Sequence, residues 1–179
     1  MGGYQTSAGD SLTTVPVTVE QGGTEATTLT GVLVGNGTGP VTTLTNTAWA
    51  TFTPTVTLVG GAGNTVPVYT TNTGRYRRIG DVVHAEVYLT GDGGAEGAGT
   101  GRVNIALPVA AGASHPTSLF HAGYSLNGTA HAVMYGQIAG SATTMELSYF
   151  SAIGTAADFT GAQQNNVTRT VRLKFTYEV

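Results

Sequence analysis

A chain of 179 residues can bury a core without metals or disulfides, and with no cysteine it has neither a disulfide framework nor a thiolate metal site. Charged residues make up 9% of it and the net charge is -3, which argues against nonspecific binding to nucleic acid or to an anionic membrane. No apolar run approaches a membrane span and no basic, apolar, cleavable start is present, so neither membrane insertion nor a signal peptide is expected.

Residues 1–47 are thin in large apolar side chains. One alternating patch, Val15, Val17 and Val19, precedes the text QGGTEATTLTGVLVGNGTGPVTTL. Such a segment has too little apolar surface to hold a fold alone, so it reads as an extended N-terminal arm that orders against partners. From Ala48 onward the aromatics appear, and residues 48–179 read as the folded domain. Its candidate strands are residues 55–59, 66–70, 75–79, 82–90, 102–107, 119–126, 130–138, 144–150 and 168–178. The last is the clearest, because Val171, Leu173, Phe175, Tyr177 and Val179 alternate with Arg172, Lys174, Thr176 and Glu178. Short strands with connections drawn from 27 glycines, and no long amphipathic helix, predict an all-β fold: an antiparallel β-sandwich of jelly-roll type behind the arm.

The segment GRYRRIGDVVHAEVYL, residues 74–89, places Arg75, Arg77 and Arg78 within four positions of a chain with seven basic residues. Guanidinium forks suit phosphate or carboxylate, so the cluster is a candidate anion site. Periodicity favours a different role. If Gly80-Asp81 closes a hairpin, Ile79 pairs with Val82, Arg77 with His84, and Arg75 with Glu86, which sets a base opposite an acid. The arginines then brace a hairpin, with the Arg78 stem covering apolar surface near the turn.

Catalytic chemistry has no carrier in this text. There is no GxSxG elbow and no HExxH, and GNGTGP lacks the Lys-Ser/Thr of a phosphate loop. Asp81, Glu86, Asp92 and Glu96 could supply a glycosidase pair, but two of them fall in a hairpin and two in the loop GDGGAEGAGTG, where they read as solvated acids. That loop lacks the alternating oxygen ligands of a calcium site. His84, His115, His121 and His131 have no ligand spacing. No catalytic residue, cofactor or metal site is therefore expected.

Two stretches carry a resemblance. QGGTEATTLTGVLVGNGTGPVTT, residues 21–43, resembles the GGTGA...GxLxGNGT segments of tailed-bacteriophage fibre proteins, with Glu25 where a glycine is common. WATFTPTVT, then GRYRRIGDVVHAEVYL and VNIALPVAA, is similar to a β-sandwich module at the ends of phage tail and virion-surface proteins. The resemblance implies a non-enzymatic structural protein on the outer surface of a virion, as a homotrimeric capsid decoration protein or short head fibre. Residues 1–47 would then engage other virion proteins. The alternative is a tail-fibre tip that recognises a host surface glycan or protein. For that role Tyr88, Tyr124, Tyr135 and Tyr149 are the candidate ligand contacts, because an aromatic face can stack on a sugar while its hydroxyl stays wet.

Overall fold

The computed structural model describes residues 33–36, 39–44, 46–91, 95–152 and 155–179. Contacts divide the chain into two units, Met1–Asn46 and Thr47–Val179. In the first unit, β1 (Leu33–Asn36) pairs antiparallel with β2 (Gly39–Thr43), in the register Leu33 to Thr43. Of the GNGTGP text expected in an extended arm, Gly35, Asn36, Gly39 and Pro40 lie in these two strands. Residues 1–32, 37–38 and 45 of that arm lie outside the described residues.

The second unit is all-β, with a single short 3-10 turn at Gly161–Gln164 among its described residues. Its strands are β3 (Ala50–Phe52), β4 (Val56–Val59), β5 (Thr71–Ile79), β6 (Val82–Gly91), β7 (Arg102–Ala106), β8 (Ser118–Asn127), β9 (Ala130–Ile138), β10 (Thr144–Ala152), β11 (Thr155–Asp158) and β12 (Arg169–Glu178). They form one antiparallel sheet in the order β3-β5-β6-β12-β8-β9-β10-β7-β4, with β11 paired beside β10. Laid flat, the eight spacings along that path would part the two edges by about 38 Å. Yet β3 and β4 are joined by residues 53–55, which reach at most about 14 Å. The sheet therefore curls, and its two halves face each other as the layers of a sandwich.

Between the layers sits one core. β6 contributes Val83, Ala85, Val87 and Leu89, and β12 contributes Val171, Leu173, Phe175 and Tyr177. Val103 and Ile105 of β7, Met134 and Ile138 of β9, and Met145 and Leu147 of β10 come from the opposite layer. The alternation read in residues 168–178 is the burial pattern of β12, residue by residue. Each fully buried aliphatic or aromatic side chain contributes about 1.5–3 kcal/mol, so this face holds the unit together.

The hairpin at residues 79–82 has the expected register: Ile79 pairs with Val82, Arg77 with His84 and Arg75 with Glu86. Gly80 supplies φ +59°, the left-handed first position of a type II′ turn, which an L side chain adopts only with strain. One expected strand does not form among the described residues. Residues 66–70 make no ladder there, and only the neighbouring Thr65 bridges to Ala98, in keeping with a buried Pro67 that has no N–H to give. The segment is instead pinned by the Val68 N–H, which donates to the Ala95 carbonyl at 3.0 Å, and by Arg169, which donates to the Val68 carbonyl.

Candidate functional site

The outer face of the β3-β5-β6-β12-β8 layer carries the site. Strand register sets its rows, since Thr73 pairs with Tyr88, Tyr88 with Arg172, and Arg172 with Tyr124. The next row runs from Thr51 through Arg75 and Glu86 to Lys174. These side chains line an open groove of 860 Å³.

Arg172 is its centre. The guanidinium carbon lies 4.5 Å from the Tyr88 ring centroid and 5.9 Å from that of Tyr124. A hydrogen bond with Tyr88, and then the electrostatic influence of Tyr124, push Arg172 above the ordinary guanidinium range, so it is permanently cationic. Gly123 makes this row possible. A Cβ there would stand 1.9 Å from the Arg172 carbonyl oxygen, so only glycine lets β8 close on β12 at this point. The β-bulge between His121 and Gly123 lies in the pairing of β8 with β9, while β8 meets β12 in an unbroken register from Asn127 to Gly123 that brings Tyr124 opposite Arg172.

The neighbouring row is a paired one. Arg75 donates to Glu86 at 2.6 Å, and Lys174 approaches the other Glu86 oxygen at 3.6 Å. Trp49 covers the arginines from the side, with its ring 4.7 Å from the Arg75 guanidinium carbon and 5.2 Å from that of Arg77. Arg78 turns away, to the Gly80 carbonyl at 2.6 Å and Asp81 at 3.1 Å. The three arginines are thus spent on a carboxylate, an indole and a turn. The cation that heads the groove comes from the last strand.

Of the four candidate tyrosines, the fold gathers Tyr88 and Tyr124 and leaves the others elsewhere. Tyr135 meets Phe150 edge to face at 4.5 Å, and half-buried Tyr149 meets Phe159 at 6.2 Å. The acids are similarly dispersed. Asp81 sits at the turn with Arg78, Glu96 is exposed, and Asp92 lies outside the described residues. Two other carboxylates, Glu146 and Asp158, do converge, but Arg102 occupies the space between them, bonding to Glu146 and to Asp158 at 3.0 Å. Nδ1 of His84 bonds with Thr176 Oγ1 at 3.3 Å, and His131 is exposed. Among the described residues no three His, Asp or Glu side chains form a metal-binding group, and no helix is long and apolar enough to cross a membrane. The His121 side chain lies outside the description.

The geometry defines an all-β sandwich unit with an aromatic and cationic groove on one outer face. No protein-family model matches the chain, and no solved structure matches it. Over 43 residues, 24% of the chain, it is 54% identical to an uncharacterized protein of Invertebrate iridescent virus 3. The match spans 4% of that viral protein's length.

Proposed function

We propose that this chain is a non-enzymatic structural protein on the outer surface of a tailed-bacteriophage virion, a homotrimeric capsid decoration protein or short head fibre. Residues 1–47 serve as its anchor on other virion proteins. The observation that carries the reading is the pairing of a glycine- and threonine-rich leader of fibre-protein type with an all-β unit. The local similarity to a viral protein is in keeping with it. So is the state of the carboxylates, since Glu146 and Asp158 are neutralised by Arg102 and Glu86 by Arg75, an arrangement that supports a fold and serves hydrolysis poorly. An antibody against residues 47–179 should decorate the heads of virions of the encoding phage under the electron microscope, and sedimentation should return three copies per particle. A monomer in solution together with unlabelled virions would remove the proposal.

A specific observation favours a second reading, a receptor-binding tip. Tyr88 and Tyr124 are each more than a third exposed and share one groove with a cation, the composition that surface recognition uses. Label confined to the tail tip would select this reading over the first.

A further inference from the structure

We propose that the outer groove binds carboxylate-bearing oligosaccharides, with sugar faces packed on Tyr88 and Tyr124 and the carboxylate held by Arg172. The inference rests on the chain acting at a virion surface, and within that reading it names the ligand class.

Charge supplies the first step. Three of the chain's seven basic residues, Arg75, Lys174 and Arg172, line the groove, where Glu86 is the one acid among the described residues, although the chain as a whole carries -3. The groove is therefore locally positive on a negative protein and attracts an anion. Glu86 is committed to Arg75 and Lys174, and among the described residues Arg172 has no carboxylate within ion-pair distance. Arg172 lies over both rings and spends one hydrogen bond on Tyr88, and its remaining N–H donors form a fork that matches a carboxylate bidentately.

Shape supplies the second. Tyr88 and Tyr124 stand on strands either side of β12, two strand spacings or about 10 Å apart. That span suits two linked pyranose rings, whose apolar C–H faces pack on phenol rings while their hydroxyls remain hydrated. Thr51 and Thr73 on the flank offer hydroxyl partners for those hydroxyls. A nucleic acid would require a basic stripe extending beyond a site of this size, which a chain with seven basic residues does not have to spare. A second copy of the chain seated on this face would have to bury Arg172, a costly step unless the copy brought its own carboxylate.

Titration calorimetry of the full chain with tetragalacturonate, its methyl ester, a hyaluronate tetrasaccharide and sialyllactose tests this. At least one of the three acids should bind. If tetragalacturonate is the binder, the ester should bind at least tenfold more weakly. For whichever acid binds, Arg172→Gln should cost at least tenfold, and Tyr88→Ala and Tyr124→Ala should each weaken binding while the melting temperature holds. The proposal is overturned if no acid binds at millimolar concentration, if acid and ester bind alike, if Arg172→Gln changes nothing, or if the tyrosine variants instead change the sedimenting species. Virions that label with antibody while no acid binds would refute the ligand and leave the surface location standing. Unlabelled virions would refute the location itself.

Discussion

Arg169 and Arg172 lie three positions apart on β12 and have opposite fates. Arg169 faces inward and is 1% exposed. It donates to the carbonyls of Asn166 at 2.8 Å, Ala95 at 2.6 Å and Val68, and its guanidinium carbon lies 5.3 Å from the Tyr69 ring centroid. Beside it, the Tyr69 hydroxyl donates to buried Gln164 at 3.0 Å, and Gln164 donates to Ser125 at 3.2 Å. A buried cation must be surrounded by acceptors, and here the acceptors are loop carbonyls, so the charge serves as a clamp on three segments. Arg172 faces outward, touches rings, and keeps hydrogen-bonding capacity to offer. A structural arginine is recognised by donors already consumed, a recognition arginine by donors held in place and still available.

That contrast between the two faces of β12 can be broken by substitution. Phe175→Ala opens a cavity between the layers and should cost about 3–5 kcal/mol in a denaturant melt, because Phe175 is 4% exposed. Arg169→Met keeps the stem but strands the Val68 and Asn166 carbonyls and leaves the Ala95 carbonyl with the Val68 N–H alone, and should cost about 3 kcal/mol. Little loss on removing Arg169 would show that the three segments hold themselves.

Tyr177→Phe is a smaller change. It removes the hydroxyl that donates to the Val109 carbonyl at 2.7 Å, at a cost of about 1 kcal/mol. Burial pushes the Tyr177 phenol up from 10.0 to about 12, partly opposed by the Val109 N–H, which donates to the phenol oxygen at 3.3 Å. The unfolded chain therefore loses its proton first as pH rises, so stability that is complete below pH 10 should drain away between about pH 10 and 12. Tyr69, also raised by burial, contributes in the same direction, so Tyr177→Phe should flatten the fall rather than abolish it. An unchanged alkaline slope would mean that Tyr177 does not stay neutral in the fold. At the small end, Lys174→Ala alters a side chain that is 83% exposed and should shift stability by no more than about 0.5 kcal/mol. A larger loss than for Phe175→Ala would invert the two faces.

What the sequence disclosed follows the range of its signals. Period-two alternation is local, so β12, its buried face and the hairpin register from Ile79–Val82 to Arg75–Glu86 were all legible. β3 has three residues and β11 is the alanine-rich Thr155–Asp158, both too short or too bland to register as strands. The valines of VPVYT give residues 66–70 a strand-like pattern, and Pro67 in their midst works against a ladder. The candidate site depends on strand order, which alternation does not encode. Tyr88 and Tyr124 were two among four equivalent tyrosines until β12 came to lie between β6 and β8. In the sequence Arg172 is one more outward residue of an alternating strand, far less conspicuous than Arg75, Arg77 and Arg78. No signal within a single strand could have singled it out.

The most direct test of the groove is fluorine NMR of the full chain carrying fluorotyrosine at its eight tyrosines, titrated with tetragalacturonate, hyaluronate tetrasaccharide and sialyllactose. With whichever acid binds, the resonances of Tyr88 and Tyr124 should move together and saturate at one affinity, while those of Tyr135 and Tyr149 stay in place. Movement confined to Tyr135 or Tyr149, or no movement with any of the three acids, would contradict the assignment of this face of β12 to recognition.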